Sequence, residues 1–153
     1  MELFRARTGL KRGTRSQAIG KSKGGWTTKI LALTDALGHL VRFVLLPGHR
    51  FDTVGVAPLI DGIVFDAILA DKAFDSNRII AEMNERGAAI CISQRAQRKA
   101  PLPIDPELYK RRHLIENFFG KLKEFKRIAL RAEKSDIAFK AMIYAAAALI
   151  NSR

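Results

Sequence analysis

The chain has 153 residues, 48% of them apolar, which suits one compact domain with a real core. Twenty-seven Lys and Arg against 15 Asp and Glu give a formal charge of +12 and a pI near 10.4, a field that attracts polyanions and nucleic acid first. One cysteine, Cys91, rules out an internal disulfide and fits a reducing cytoplasm; no apolar leader is visible, and the longest apolar run, Ala141–Ile150, is short of the roughly 20 residues a bilayer span needs.

Taken in chain order, residues 1–30 hold eight Lys/Arg and one acid, Glu2. Within them, Arg7–Gly25 is rich in Gly, Ser, Lys and Arg and lacks apolar periodicity, so residues 1–25 are expected to be a basic flexible arm. Lys21 and Lys23 of that arm are candidate phosphate contacts. Thr27–Thr34 and Leu40–Leu46 are β-rich runs around an Asp35–Gly38 turn, which predicts an antiparallel hairpin. Trp26 reads as a packing anchor for its first strand. Asp52 is expected to cap a helix over Thr53–Ile60. Val64–Ala70 and Ala88–Ser93 are short apolar runs of the kind buried on both faces of a sheet. Between them lies a helix capped by Asp75 or Ser76 and ended at Gly87. The run Gln94–Pro106, with three prolines, predicts an extended loop carrying Arg95, Arg98 and Lys99. A long helix over about Pro106–Lys126 and a last one over about Ser135–Ser152 complete the chain.

Residues 31–90 hold eight acids and five Lys/Arg, whereas residues 95–127 hold ten Lys/Arg and four acids. Two basic blocks flanking an acidic middle suit an enzyme that grips phosphates with cations and holds metal with carboxylates. The element order predicts a mixed α/β sheet flanked by helices. It matches the ribonuclease-H-like order with one exception. That fold begins with three antiparallel strands, and only two are legible, so the first is expected to be missing and the domain over residues 26–153 partial.

Asp71 follows directly on the apolar run Ala67-Ile68-Leu69-Ala70. A carboxylate at the C-terminal edge of a sheet stands where open α/β sheets bind ligands. It is either a hard oxygen donor to a divalent metal or a strand-terminal Asp that binds loop N–H groups. On the long helix, Tyr109, Arg112, Glu116 and Lys123 fall within roughly 60° of arc at about 100° per residue. Glu116 is either a second metal ligand flanked by phosphate-binding cations or one half of a surface helix pair contributing about 0.3–0.5 kcal/mol. No His/Cys spacing of the zinc type occurs; His39 reads as exposed, His49 after the strand-ending Pro-Gly as a residue able to approach nucleic acid, and His113 as a residue beside the polar stripe within reach of phosphate.

At these residues the chain resembles a known family. Tyr109-x2-Arg112-x3-Glu116-x6-Lys123 is similar to the signature around the last carboxylate of bacterial insertion-sequence DDE transposases. The block Leu69–Asp75 (LADKAFD) resembles the surroundings of the family's second catalytic aspartate, and Gly20–Gly48 resembles the segment after its first catalytic strand. The likeness covers about residues 15–153 and is nearest to the small two-frame elements of insertion-sequence family five. It implies a catalytic domain that cuts element ends and transfers the freed 3′-hydroxyl to target DNA, with two Mg²⁺ ions and no covalent enzyme intermediate. It implies Asp71 and Glu116 as catalytic, metal-holding members of the triad and Tyr109, Arg112 and Lys123 as residues that position DNA. The family's first aspartate has no counterpart before Asp35, a turn residue, and MELFRA is a poor match to its strand. The expectation is therefore a downstream-frame product that needs an upstream-frame partner, homodimeric when active and located in the cytoplasm on the nucleoid. The alternative is a remnant that binds DNA without cutting it.

Overall fold

The computed structural model describes residues 1–7 and 17–152. Among the described residues six strands and six helices follow one another: β1 (Glu2–Arg7), β2 (Gly20–Ser22), β3 (Gly25–Thr34), β4 (Leu40–Pro47), α1 (Val56–Ile60), β5 (Ala67–Ala70), α2 (Asn77–Glu85), β6 (Ala89–Ile92), α3 (Pro106–Lys110), α4 (His113–Glu124), α5 (Lys126–Ala129) and α6 (Asp136–Asn151). Short 3₁₀ turns occupy Asp52–Gly55 and Lys72–Phe74.

The expected hairpin is β3–β4, paired from Thr28↔Pro47 to Thr34↔Leu40. Its turn is built by Asp35, whose carboxylate accepts from the backbone N–H groups of Leu37 and His39, both at 2.9 Å. Gly38 supplies the φ of +87° that closes it. β3 is the centre of the sheet. Its other edge pairs antiparallel with β1, Glu2↔Ala32 to Arg7↔Thr27, while β2 pairs with the start of β3 on the β4 side, Gly20↔Thr27 to Ser22↔Gly25.

β1 corrects the expectation that the first strand is missing: the third antiparallel strand is there, in MELFRA. Alternation survives in it, since Arg5 is exposed and Ala6 fully buried, but two arginines in six residues mask the apolar face. Pairing along the free edge of β3 decides the strand, where local propensity does not. Residues 17–25, expected in a flexible arm, are likewise ordered: Ala18 and Ile19 are buried and β2 is a strand. The middle of that arm, residues 8–16, lies outside the described residues.

β5 and β6 form a separate parallel pair, Ala67↔Ala89 to Ala70↔Ile92. The Met1 ammonium donates to the Leu69 carbonyl and ties β1 to the edge of β5. Helices cover both faces. On one face Ala6, Ile30, Ala32 and Phe43 pack against α4 and α6 through Phe118, Phe119, Leu122, Phe139 and Ile143. On the other, Leu31 packs with Leu59, Ile60, Ile68, Phe74 and Met83. The successive residues Ile30, Leu31 and Ala32 thus feed opposite layers, as the period of a strand requires. Gly55 makes the second layer possible: a Cβ there would stand 2.7 Å from Leu31 Cδ2 and 3.0 Å from Leu46 Cδ1. No helix among the described residues is long and apolar enough to cross a membrane.

Two cations are buried inside the fold, Lys29 and Arg131. Lys29, 5% exposed, donates to the Asp52 carboxylate and the Arg50 carbonyl, each at 2.6 Å. Asp52 is therefore an ion-pair partner and not a helix cap; the capping position is Phe51. Arg131, fully buried, donates to the Thr28 hydroxyl, the Asp136 carboxylate and the Ala18 carbonyl, the last at 3.1 Å. Its guanidinium carbon lies 4.9 Å from the centre of the Phe139 ring. Removing one partner of a buried pair leaves the other charge uncompensated. Asp136→Ala is therefore expected to cost about 3 kcal/mol in urea denaturation, and the double variant Arg131→Met/Asp136→Ala less than that. A single-variant loss under about 0.5 kcal/mol, the range of ordinary surface changes, would show that the pair is not structural.

Candidate active site

Asp71 stands at the carboxyl end of β5, as its sequence context demands. It caps the turn Lys72–Phe74, its Oδ1 accepting from Ala73 N at 2.7 Å. Buried Phe74 holds that turn against the core. One oxygen of the half-buried carboxylate is thus spent on the backbone, and the group remains a hard oxygen donor at the sheet edge.

The polar stripe is held together in a different way from the one its spacing predicts. The long helix is three helices, α3, α4 and α5. Between α3 and α4 the chain tightens through i→i+3 bonds, Arg111 N to Leu108 O at 3.1 Å, Arg112 N to Tyr109 O at 3.0 Å and Leu114 N to Arg111 O at 3.1 Å. The second break is at Phe125, whose backbone is extended. Across the first break the Arg112 guanidinium lies 5.6 Å from the Tyr109 ring centre and pairs with the Glu116 carboxylate. Tyr109, Arg112 and Glu116 therefore form one connected group. Lys123 is exposed further along α4. The Glu116 side chain is 43% exposed, open to an incoming ligand.

The fit to metal is limited. Asp71 and Glu116 have the right donor chemistry, but they lie on separate elements, and no group of three or more His, Cys, Asp or Glu side chains that could hold a metal ion occurs among the described residues. Cys91 offers nothing in addition: burial pushes its thiol above the ordinary value, and its Sγ donates weakly to the Asp105 carbonyl at 3.6 Å. A cavity of about 510 Å³ borders the Tyr109–Arg112–Glu116 group, lined by Leu33, Phe65, Ile68, Leu108, Arg112 and their neighbours. Neither Asp71 nor Glu116 lines it, so its apolar volume is not where the carboxylates would act.

The basic loop divides in two. Arg98, expected to contact DNA, is committed to the fold. It pairs with the Asp75 carboxylate and donates to Asn77 Oδ1 at 3.0 Å and to the Ala100 carbonyl at 2.8 Å. Asp75, 7% exposed, also accepts from Arg95 N at 2.9 Å. It is thus the receptor for the loop, and Ser76 occupies the capping position of α2. Gln94 pins the far side, exchanging bonds of 2.6 and 2.7 Å with Leu102. Asp75 is four residues from Asp71, so the loop is fastened near the end of β5. The side chains of Arg95 and Lys99 are exposed on it.

Lys21 in β2 and Lys23 in the β2–β3 turn are exposed, and Trp26 beside them is 37% exposed, against the expectation of a packing anchor. His113 is occupied by the Lys110 carbonyl at 2.6 Å, and His39 lies 3.5 Å from Asp35. Of the two capping candidates Asp75 and Ser76, the structure places Ser76 at the cap and turns Asp75 to the loop. The signal for Lys29 was present: a lone cation inside the run TTKILALT requires a buried partner.

Residues 4–151 match the family model described as the transposase DDE domain. A Brucella ovis protein bearing the name of a transposase for insertion sequence element IS6501 is 38% identical over 126 residues, which span 81% of this chain and 97% of that protein. No solved structure matches.

The division of the loop is testable on stability. Arg98→Ala leaves the Asp75 carboxylate buried and unpaired and is expected to cost about 3 kcal/mol. Arg95→Ala and Lys99→Ala should stay within about 0.5 kcal/mol. Equal, small effects in chemical denaturation for all three would return Arg98 to the exposed set.

Proposed function

The chain belongs to the DDE transposase family, and we propose that Asp71 and Glu116 are two of the carboxylates that hold its divalent metal. It acts on DNA, as a transposase domain of an insertion sequence. The observation that carries the site assignment is the connected group Tyr109–Arg112–Glu116: a carboxylate, a phosphate-binding fork and an aromatic donor on one side of α3–α4.

The reaction proposed is hydrolysis at the 3′ ends of the element, followed by attack of the freed 3′-hydroxyl on target DNA. When bound, two Mg²⁺ ions would supply activation of the attacking oxygen and stabilisation of the leaving one. The chain's own residues do the rest. Arg112, paired with Glu116 when no DNA is present, exchanges that carboxylate for a phosphate and so leaves Glu116 open to a metal. Tyr109 orients the backbone by its hydroxyl or by stacking. Lys123 meets the strand further along α4. Lys21, Lys23, Arg95 and Lys99 supply phosphate contacts at the hairpin and the loop.

The ribonuclease-H-like architecture is part of this reading. It is supported by the antiparallel run β4–β3–β1, the parallel pair β5–β6 and helices on both faces of β3. A second reading, binding without cutting, is supported by one observation: no group of three His, Cys, Asp or Glu side chains that could hold a metal ion occurs among the described residues. An upstream-frame product would be the source of the missing ligand, and a homodimer would bring two element ends together.

Six side chains are proposed to meet phosphates: Lys21, Lys23, Arg95, Lys99, Arg112 and Lys123. Six contacts imply a log–log salt slope of about −5, so duplex affinity should fall about 10³-fold between roughly 50 and 200 mM salt. An affinity independent of salt in a binding titration would remove the charge argument. For chemistry, the isolated chain is expected to nick element ends weakly. Robust nicking that requires Mg²⁺, stops on chelation and is lost in Asp71→Asn and Glu116→Gln with duplex binding retained would show that no further carboxylate is needed.

A further inference from the structure

Trp26 is the only tryptophan of the chain, and neither the packing of the fold nor the proposed chemistry uses its exposed surface. It lies in β3 just after the tight turn of the β2–β3 hairpin, opposite Lys21 in the register. Cross-strand partners project from the same face of a sheet, so the Trp26 and Lys21 side chains leave the hairpin on one face. Lys23 sits in the turn itself. Both lysines are exposed, and the indole is 37% exposed. Between Leu3 and Thr34 the sequence contains no acidic residue, so no carboxylate of this segment competes for the two cations.

The platform is stiff. Ser22 Oγ donates to the Gly25 carbonyl at 3.1 Å and accepts from Gly24 N and Thr27 Oγ1, each at 3.3 Å. Two residues beyond Trp26, Thr28 Oγ1 donates to the Ala18 carbonyl at 2.5 Å, and the buried Arg131 grips both. A rigid, partly exposed π-face flanked by two ammonium groups has the complement of a nucleotide, with the base on the ring and the phosphates on the lysines.

Bases inside a duplex already stack on their neighbours, so an indole gains only from one that is unpaired or terminal. We propose that Trp26 stacks on an unpaired nucleobase at a DNA end or single-stranded segment, with Lys21 and Lys23 holding the adjoining phosphates. This rests on the DNA reading above and assigns the hairpin a part in it that is separate from the carboxylates.

Because Trp26 is the sole indole, its emission reports this site alone. The experiment compares a blunt duplex with the same duplex carrying an overhang of about five nucleotides, within the range of one stacking-site footprint. Anisotropy of labelled DNA measures binding while tryptophan emission measures stacking. The overhang is expected to quench emission and to bind about five- to tenfold more tightly than the blunt duplex, the lower range of one base–aromatic stack. Trp26→Leu should abolish that preference and Trp26→Phe should keep most of it, with thermal midpoints confirming that both fold. A rise in anisotropy with unchanged emission, or an overhang preference that survives Trp26→Leu, overturns the proposal and leaves DNA binding intact. No rise in anisotropy with either DNA removes the DNA reading itself, and this site with it.

Discussion

The architecture hangs on the buried guanidinium of Arg131. Taking such an ion out of water costs several kcal/mol, returned only when geometry and hydrogen bonding are nearly complete. Here the Asp136 carboxylate, the Thr28 hydroxyl and the Ala18 carbonyl accept from it, and the Phe139 ring lies beside it; its Nε has no partner among the described residues. Arg131 even adopts a φ of +39°, a region that a side chain of this size occupies only when its surroundings over-determine it. The three acceptors belong to the approach to β2, the centre of β3 and the first turn of α6. One side chain thus locks the hairpin, the sheet and the last helix together. α6 in turn packs on α4, and α4 carries Glu116. The position of Glu116 is therefore transmitted from the buried charge of Arg131.

The positive charge of the chain serves two ends. Arg131, Lys29, Arg98 and Arg42 are turned inward or along the surface onto specific acceptors; Arg42, for one, donates to the Asp61 carbonyl at 2.6 Å. These cations fasten loops and helix ends, and their carboxylate partners, Asp136, Asp52 and Asp75, are no longer available to a metal. Lys21, Lys23, Arg95 and Lys99 remain exposed, on a hairpin and a loop that the inward-facing cations hold in place. A uniform count of +12 conceals this division, which matters because only exposed charge supports counterion release from DNA.

Much of the molecule was legible because it is locally encoded. The Asp35–Gly38 turn, the glycine stop at Gly87, the start of the last helix near Ser135 and the acid ending an apolar run at Asp71 each need only a few neighbouring residues. The Tyr109–Arg112–Glu116 group was legible too, although for an incomplete reason. Helical spacing aligned these residues on one continuous helix, whereas a tight turn between α3 and α4 separates Tyr109 from Glu116, and the ring-to-guanidinium contact and the ion pair keep them together across it.

Composition, charge pattern and element order determined by themselves that this is a basic, mixed α/β chain, and the resemblance of its motifs to those of DDE transposases pointed to the family and to Asp71 and Glu116 as the candidates for metal. Those features depend on residue identity and on spacing within one element. Only the tertiary structure decided that MELFRA is a strand, that Arg98 and Asp75 belong to the fold, that Asp52 answers Lys29, and that Trp26 faces outward. Each of these depends on a partner distant in the chain: the free edge of β3 for β1, a loop some twenty residues away for Asp75, and a hairpin held by Arg131 for Trp26. A pattern read along the chain records which side chains can bury or bind; which of them do so is set by what the fold brings opposite.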